Sequence, residues 1–124
     1  MTEQSPSLLD RLRGLFGTGG DERLGSSVSA SRALELVGDG ASLVDVREAN
    51  EWRAGHAPQA VHVPLGEIER APRRLRKDRP VLVVCASGMR SRAGAKQLRA
   101  LGFDAASISG GMAAWQRAGG PVRR

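Results

Sequence analysis

Val81-Leu82-Val83-Val84-Cys85-Ala86-Ser87-Gly88-Met89-Arg90-Ser91 carries four apolar, mostly β-branched residues without a break into the only cysteine of the chain. An uninterrupted run of this kind reads as a strand buried on both faces, as in the centre of a parallel sheet. A short loop containing Gly88 follows, and Ser91 to Leu101 then reads as a helix, with Ser91 as its expected N-cap and Gly102 as its stop. Cys85 is thereby placed where a buried strand ends and a helix N-terminus points back. Free N–H groups, the positive end of the helix dipole and Arg90 all favour a thiolate there over a thiol. A lone cysteine is equally well explained as a small buried hydrophobe. The sequel C-A-S-G-M-R-S weighs against that reading. Gly88 lets successive N–H groups converge and Arg90 adds a fixed charge, and a structural cysteine needs neither.

With 124 residues, the chain is long enough for one domain around a single core. No stretch approaches the roughly 20 apolar residues of a membrane span, and none near the start reads as a secretory signal. One cysteine excludes an intramolecular disulfide, and with two histidines no metal site is expected. A soluble, cytoplasmic protein without a cofactor is the expectation. The net charge of +6 is carried largely by arginine, most densely at Arg70, Arg73, Arg74, Arg76, Lys77 and Arg79. Such a run is most simply a solvated face, and it can also concentrate an anionic substrate. Nucleic acid is not an expected partner, because the chain has no tyrosine and no interleaved aromatics on which bases could stack.

Residues 1–25 stand apart. Leu8, Leu9, Leu12, Leu15 and Phe16 fall on one face of a short helix, and Gly17 to Glu22 reads as a glycine-rich linker. Acidic and basic residues nearly balance in this segment, so membrane contact through it is not expected. Residues 26–124 form the expected domain. Ser27-Val28 is a short extended piece, and Ser29 caps a helix that Gly38-Asp39-Gly40 ends. Ser42 to Val46 is a buried strand and Arg47 to Ala54 a short helix. Ala60 to Val63 is again extended. Glu67 to Leu75 is helical, with Ile68, Ala71 and Leu75 inward and Pro72 as a disturbance. Ala105 to Ile108 is the last strand and Met112 to Ala118 the last helix. Strands alternating with helices predict an α/β fold with a parallel sheet covered on both faces. Ligands in such sheets bind beyond the carboxyl ends of the strands, where Asp45 and Cys85 both fall.

Taken in order, Asp45-Val46-Arg47-Glu48, Glu51-Trp52, Gly55-His56-Ala57-Pro58-Gln59-Ala60, Val63-Pro64-Leu65, Cys85 to Ser91 and Gly110 to Trp115 resemble the single-domain rhodanese-like sulfurtransferases over about residues 26–120. The resemblance implies a five-stranded parallel sheet with helices on both faces, preceded here by the short N-terminal helix. It implies transfer of a sulfane sulfur from thiosulfate or a similar donor to cyanide or a thiol through a persulfide on Cys85. Ala86, Ser87, Gly88, Met89, Arg90 and Ser91 would bind the substrate, with Arg90 on the donor's oxyanion. Asp45 and Arg47 would support the loop, an ordinary surface ion pair being the competing account. By the resemblance His56 is a packing residue rather than a base, and Trp52 and Trp115 are most simply core. The implied partners are a small anionic sulfur donor and an external thiol acceptor, either a low-molecular thiol or a protein. Ala86 stands where many relatives carry a basic residue, and Ala57 and Gln59 depart from the commoner pattern of the Gly-His motif.

Two other functions compete. A phosphatase or arsenate reductase needs five residues between cysteine and arginine to wrap a tetrahedral oxyanion, whereas four separate Cys85 from Arg90. A non-catalytic regulatory or interaction module usually lacks the cysteine, which is present here.

Overall fold

The structure, a computed structural model, describes residues 23–124. The expected helix at Leu8 to Phe16 and its linker up to Glu22 lie outside the described residues. The strands are β1 (Ser27–Val28), β2 (Ser42–Asp45), β3 (Val61–His62), β4 (Val81–Val84) and β5 (Ala105–Ile108). They form one sheet in the order β1-β5-β4-β2-β3, and every pairing is parallel. The helices are α1 (Ala30–Gly38), α2 (Ala49–Ala54), α3 (Met89–Ala100) and α4 (Gly111–Arg117), with a 3₁₀ segment over Leu65–Arg74.

Period-two alternation divides the core. Val81, Val83 and Cys85 join Val44, Val46, Ile68, Ala95, Leu98 and Phe103 on one face, under α3 and the 3₁₀ segment. Leu82 and Val84 face the other way, with Leu43, Ala106, Ile108, Ala33, Met112 and Trp115 under α1 and α4. All four residues of β4 are buried because the strand lies between β5 and β2 and both its faces are covered. Cys85 is the next step of the same alternation, so its side chain enters the α3 face.

Three local expectations change. α3 begins at Met89 after an N-cap at Gly88, two residues before the expected helix start at Ser91, and no side-chain hydrogen bond caps it. The N–H groups of the N-cap Gly88 and of Ser91 in the first turn are instead satisfied by the cysteine sulfur, as described below. α2 is shorter than Arg47–Ala54, because Glu48 takes the N-cap and exchanges hydrogen bonds with Glu51 in a capping box. Glu67 to Leu75 is a 3₁₀ segment kinked at Glu67 rather than one helix. Pro72 within it has no N–H to give to an α-helical ladder.

Gly111 shows how tightly the end of β4 is held. It opens α4 with φ at +61°, and a Cβ there would overlap the Ala86 carbonyl. Met112 N–H donates to the Cys85 carbonyl at 2.9 Å, so α4 clamps the start of the cysteine loop. Gly111→Ala is expected to cost at least about 2 kcal/mol in chemical denaturation, since the left-handed backbone and the displaced carbonyl both penalise a side chain.

Candidate active site

The loop from Cys85 to Ser91 wraps its own sulfur. Gly88, with φ at +115°, turns the chain so that its N–H donates to Cys85 Sγ at 3.0 Å. The Ser91 N–H, in the first turn of α3, donates to the same sulfur at 3.3 Å. Ser91 Oγ lies 3.4 Å from Sγ, donates to the Gly88 carbonyl at 3.1 Å and sits 2.7 Å from Ser107 Oγ. Cys85, Ser91 and Ser107 are all buried. The sulfur therefore occupies the place of a capping side chain at the N-terminus of α3, where a negative charge is favoured.

Burial pushes the Cys85 thiol up. The Ser91 hydroxyl, followed by the N–H groups of Ser91, Gly88 and Ser87, outweighs burial and brings the thiol below its ordinary value of 9.0. Ser91 has one hydroxyl proton, which serves either the Gly88 carbonyl or a Cys85 thiolate; when it turns to the thiolate, Ser107 can donate its own proton to Ser91 Oγ. Removing that hydroxyl raises the pKa again. Ser91→Ala is expected to shift the thiolate absorbance titration upward, with activity at neutral pH falling alongside it.

Arg90 is held by a fork. Its Nη1 donates to Glu51 Oε1 at 2.7 Å and its Nη2 to Glu51 Oε2 at 2.9 Å. Hydrogen bonding to Arg90 brings the Glu51 carboxyl from 4.5 down to about 2, against a smaller opposing effect of burial. The same contact raises the pKa of Arg90. Two of the five guanidinium donors are thereby used, and the others remain for a ligand.

Asp45 and Arg47 form a buried pair at the end of β2, in which Arg47 Nη2 lies 2.7 Å from Asp45 Oδ2 and its Nε 3.0 Å from Oδ1. The alternative of an ordinary surface pair is thereby set aside. Arg47 also donates to the Gly55 carbonyl at 2.7 Å, and among the described residues the pair makes no hydrogen bond to the Cys85–Ser91 loop. Trp115 is fully buried, as expected, whereas Trp52 is only half-buried. It stacks between His56, at 3.6 Å between ring centroids, and His62, at 4.7 Å. α2 contributes no buried residue to the core, and its tryptophan packs on these rings. His56 is indeed a packing residue, with Nδ1 2.8 Å from the Trp52 carbonyl.

The structure thus brings Cys85, Gly88 and Ser91 together around one atom and leaves Ala86, Ser87 and Met89 exposed on the rim. Sequence reasoning missed Glu51, Ser107 and Gly111. Glu51 carries a readable signal, since an acidic residue three after Glu48 marks a capping box. Ser107 carries only a weak one, a hydroxyl in an otherwise apolar strand.

Comparison with known proteins gives the family and the fold. The family model described as "Rhodanese-like domain" matches residues 29–118. The chain belongs to the rhodanese-like domain family. It is 43% identical over 74 residues to "Putative sulfurtransferase YtwF" of Bacillus subtilis, covering 60% of this chain and 72% of that protein. "Putative sulfur carrier protein YrkF" of the same organism is 35% identical over 75 residues, which span 60% of this chain and only 40% of YrkF. Among solved structures, a rhodanese-related protein from Thermoplasma volcanium superposes with a TM-score of 0.70 at 30% identity, over 79% of this chain and 97% of that one. The fold is therefore the rhodanese-like α/β fold, and the relatives are of sulfurtransferase and sulfur-carrier type.

Proposed function

We propose that this domain carries a sulfane sulfur on Cys85, taking it from thiosulfate or a similar small anionic donor and passing it to an external thiol or to cyanide. The observation that carries this reading is the cysteine sulfur held by the Gly88 and Ser91 N–H groups at the N-terminus of α3. The Cys85 thiolate attacks the outer sulfur of thiosulfate, the sulfur–sulfur bond of the donor breaks, and sulfite leaves with the bonding electron pair. The product is a Cys85 persulfide whose outer sulfur is anionic, and N–H groups already aimed into the loop stabilise that charge without reorganising. Arg90 receives the donor's oxyanion on the N–H groups that Glu51 leaves open. An acceptor thiolate then attacks the outer sulfur, leaves as a persulfide, and returns Cys85 to the thiolate.

As the chain has one cysteine, no internal thiol can expel the sulfur, and the acceptor comes from outside. Relatives named as a sulfurtransferase and a sulfur carrier support this division of labour. A cytoplasmic setting, where small thiols stay reduced, suits such a cycle. Among the described residues, no helix is long and apolar enough to cross a membrane.

Intact mass after thiosulfate, before and after cyanide, tests the reading. One added sulfur atom that cyanide removes is the expected result. A chain that never gains sulfur would be a non-catalytic module. We further expect the isolated persulfide to persist without acceptor, to discharge on adding glutathione, and to discharge more slowly as salt screens the basic surface, followed by stopped flow.

A further inference from the structure

Beside the cysteine loop lies a groove of about 330 Å³ between the β1 edge of the sheet and the first turn of α3. Ser27, Ser87, Ser107 and Ser109 line it with hydroxyls, Met89 gives it one apolar wall, and Arg92 is its cation. Among the described residues, no carboxylate lines it. Around the loop, Arg90 is held by the fork to Glu51 and Arg47 by its buried pair with Asp45, whereas Arg92 pairs with no acidic side chain among the described residues. α3 itself carries Arg90, Arg92, Lys96 and Arg99 and no acid, so no side chain of the helix offsets the charge. The groove also meets the reacting centre. Ser87, Gly88 and Met89 form its wall and the rim of the loop together, and Ser107, at its floor, lies 2.7 Å from the Ser91 hydroxyl that touches Cys85.

We propose that this groove seats the carboxylate end of a low-molecular acceptor thiol, with Arg92 as the recognising cation and the serine hydroxyls of Ser27, Ser87 and Ser109 as its hydrogen-bond partners. The inference rests on the sulfur-transfer reading for its purpose, though not for the binding site itself. A thiol anchored there by its carboxylate projects its sulfur across the Ser87–Gly88 rim toward the persulfide. Met89, exposed on the rim, offers the thiol's apolar stem a surface to lie on, and holding the thiol beside the loop favours its attack over that of a thiol in solution. A neutral thiol reaches the same sulfur without the anchor.

The test uses the full chain and S-methylglutathione, which keeps the carboxylates and cannot accept sulfur. Titration followed by backbone amide NMR is expected to give saturable shifts at Ser27, Ser87 and Ser109. Arg92→Gln should weaken binding about tenfold and Arg92→Lys by much less, as for a charged hydrogen bond at a half-open site. Shifts that bypass the groove, or binding indifferent to Arg92→Gln, would overturn the site. In a second arm, Arg92→Gln should slow persulfide discharge by glutathione about tenfold more than discharge by 2-mercaptoethanol, and equal slowing of both would also overturn it. If the wild type takes up no sulfur from thiosulfate, the sulfur-transfer reading fails, and the titration alone still decides whether the groove binds carboxylates.

Discussion

Cys85→Ser is expected to abolish sulfur transfer while the domain stays folded. The substitution keeps a small side chain that can accept the Gly88 and Ser91 N–H groups, so the capping role at α3 survives. What disappears is the nucleophile, because a serine hydroxyl at this place stays protonated and does not attack sulfane sulfur. The expected measurements are thiosulfate turnover at the uncatalysed level, no added sulfur by intact mass, and a circular dichroism melt close to that of the wild type. Turnover equal to the wild type would remove Cys85 from the mechanism. Loss of the cooperative melt would instead show that the sulfur is chiefly a structural cap.

The second large effect is expected at Arg90. If it holds the donor's oxyanion, Arg90→Gln lowers kcat/KM for thiosulfate by about a hundredfold, comparable to losing one preorganised oxyanion donor. Discharge of the preformed persulfide to a neutral thiol should change far less. Glu51→Gln is the informative companion. It leaves the cation in place and removes the fork that orients it, so a smaller loss, about tenfold, is expected. It also carries a pH signature. The Glu51 carboxyl lies at about 2 when folded and at 4.5 ordinarily, so its contribution to stability is complete above about pH 4.5 and is lost as pH falls toward 2. Glu51→Gln should flatten the acid limb of the denaturation midpoint across that window. An unchanged limb would mean that the ion pair is replaced by solvent at no cost. Because about a third of each side chain is exposed, solvent screens the pair and its net worth stays modest.

Much of this was legible because the signals were local. An unbroken β-branched run, a cysteine at its end and a glycine three residues later are enough to place a thiol at a helix N-terminus, and the structure puts it there. The exact helix start was not legible, because Ser91 has the chemistry of an N-cap and only the folded loop reveals that a sulfur has taken that acceptor role. Trp52 read as core for a similar reason. Its size suits burial, but its helix has no buried residue, and the ring stacks on His56 and His62 instead.

Alternation of apolar strands with helices determined the α/β class, and the order of short motifs determined the family, since both depend on residues close together in the chain. The sequence also showed that these 124 residues hold no second thiol beside Cys85. Tertiary structure alone decided that Glu51, 39 residues from Arg90, holds it by a fork. It alone brought Ser107, from β5, against Ser91, and gave Gly111 no room for a side chain beside Ala86. Those contacts join segments that meet only after the parallel crossovers are made, and no local periodicity encodes which polar residues from separate strands will face one another across a sheet end.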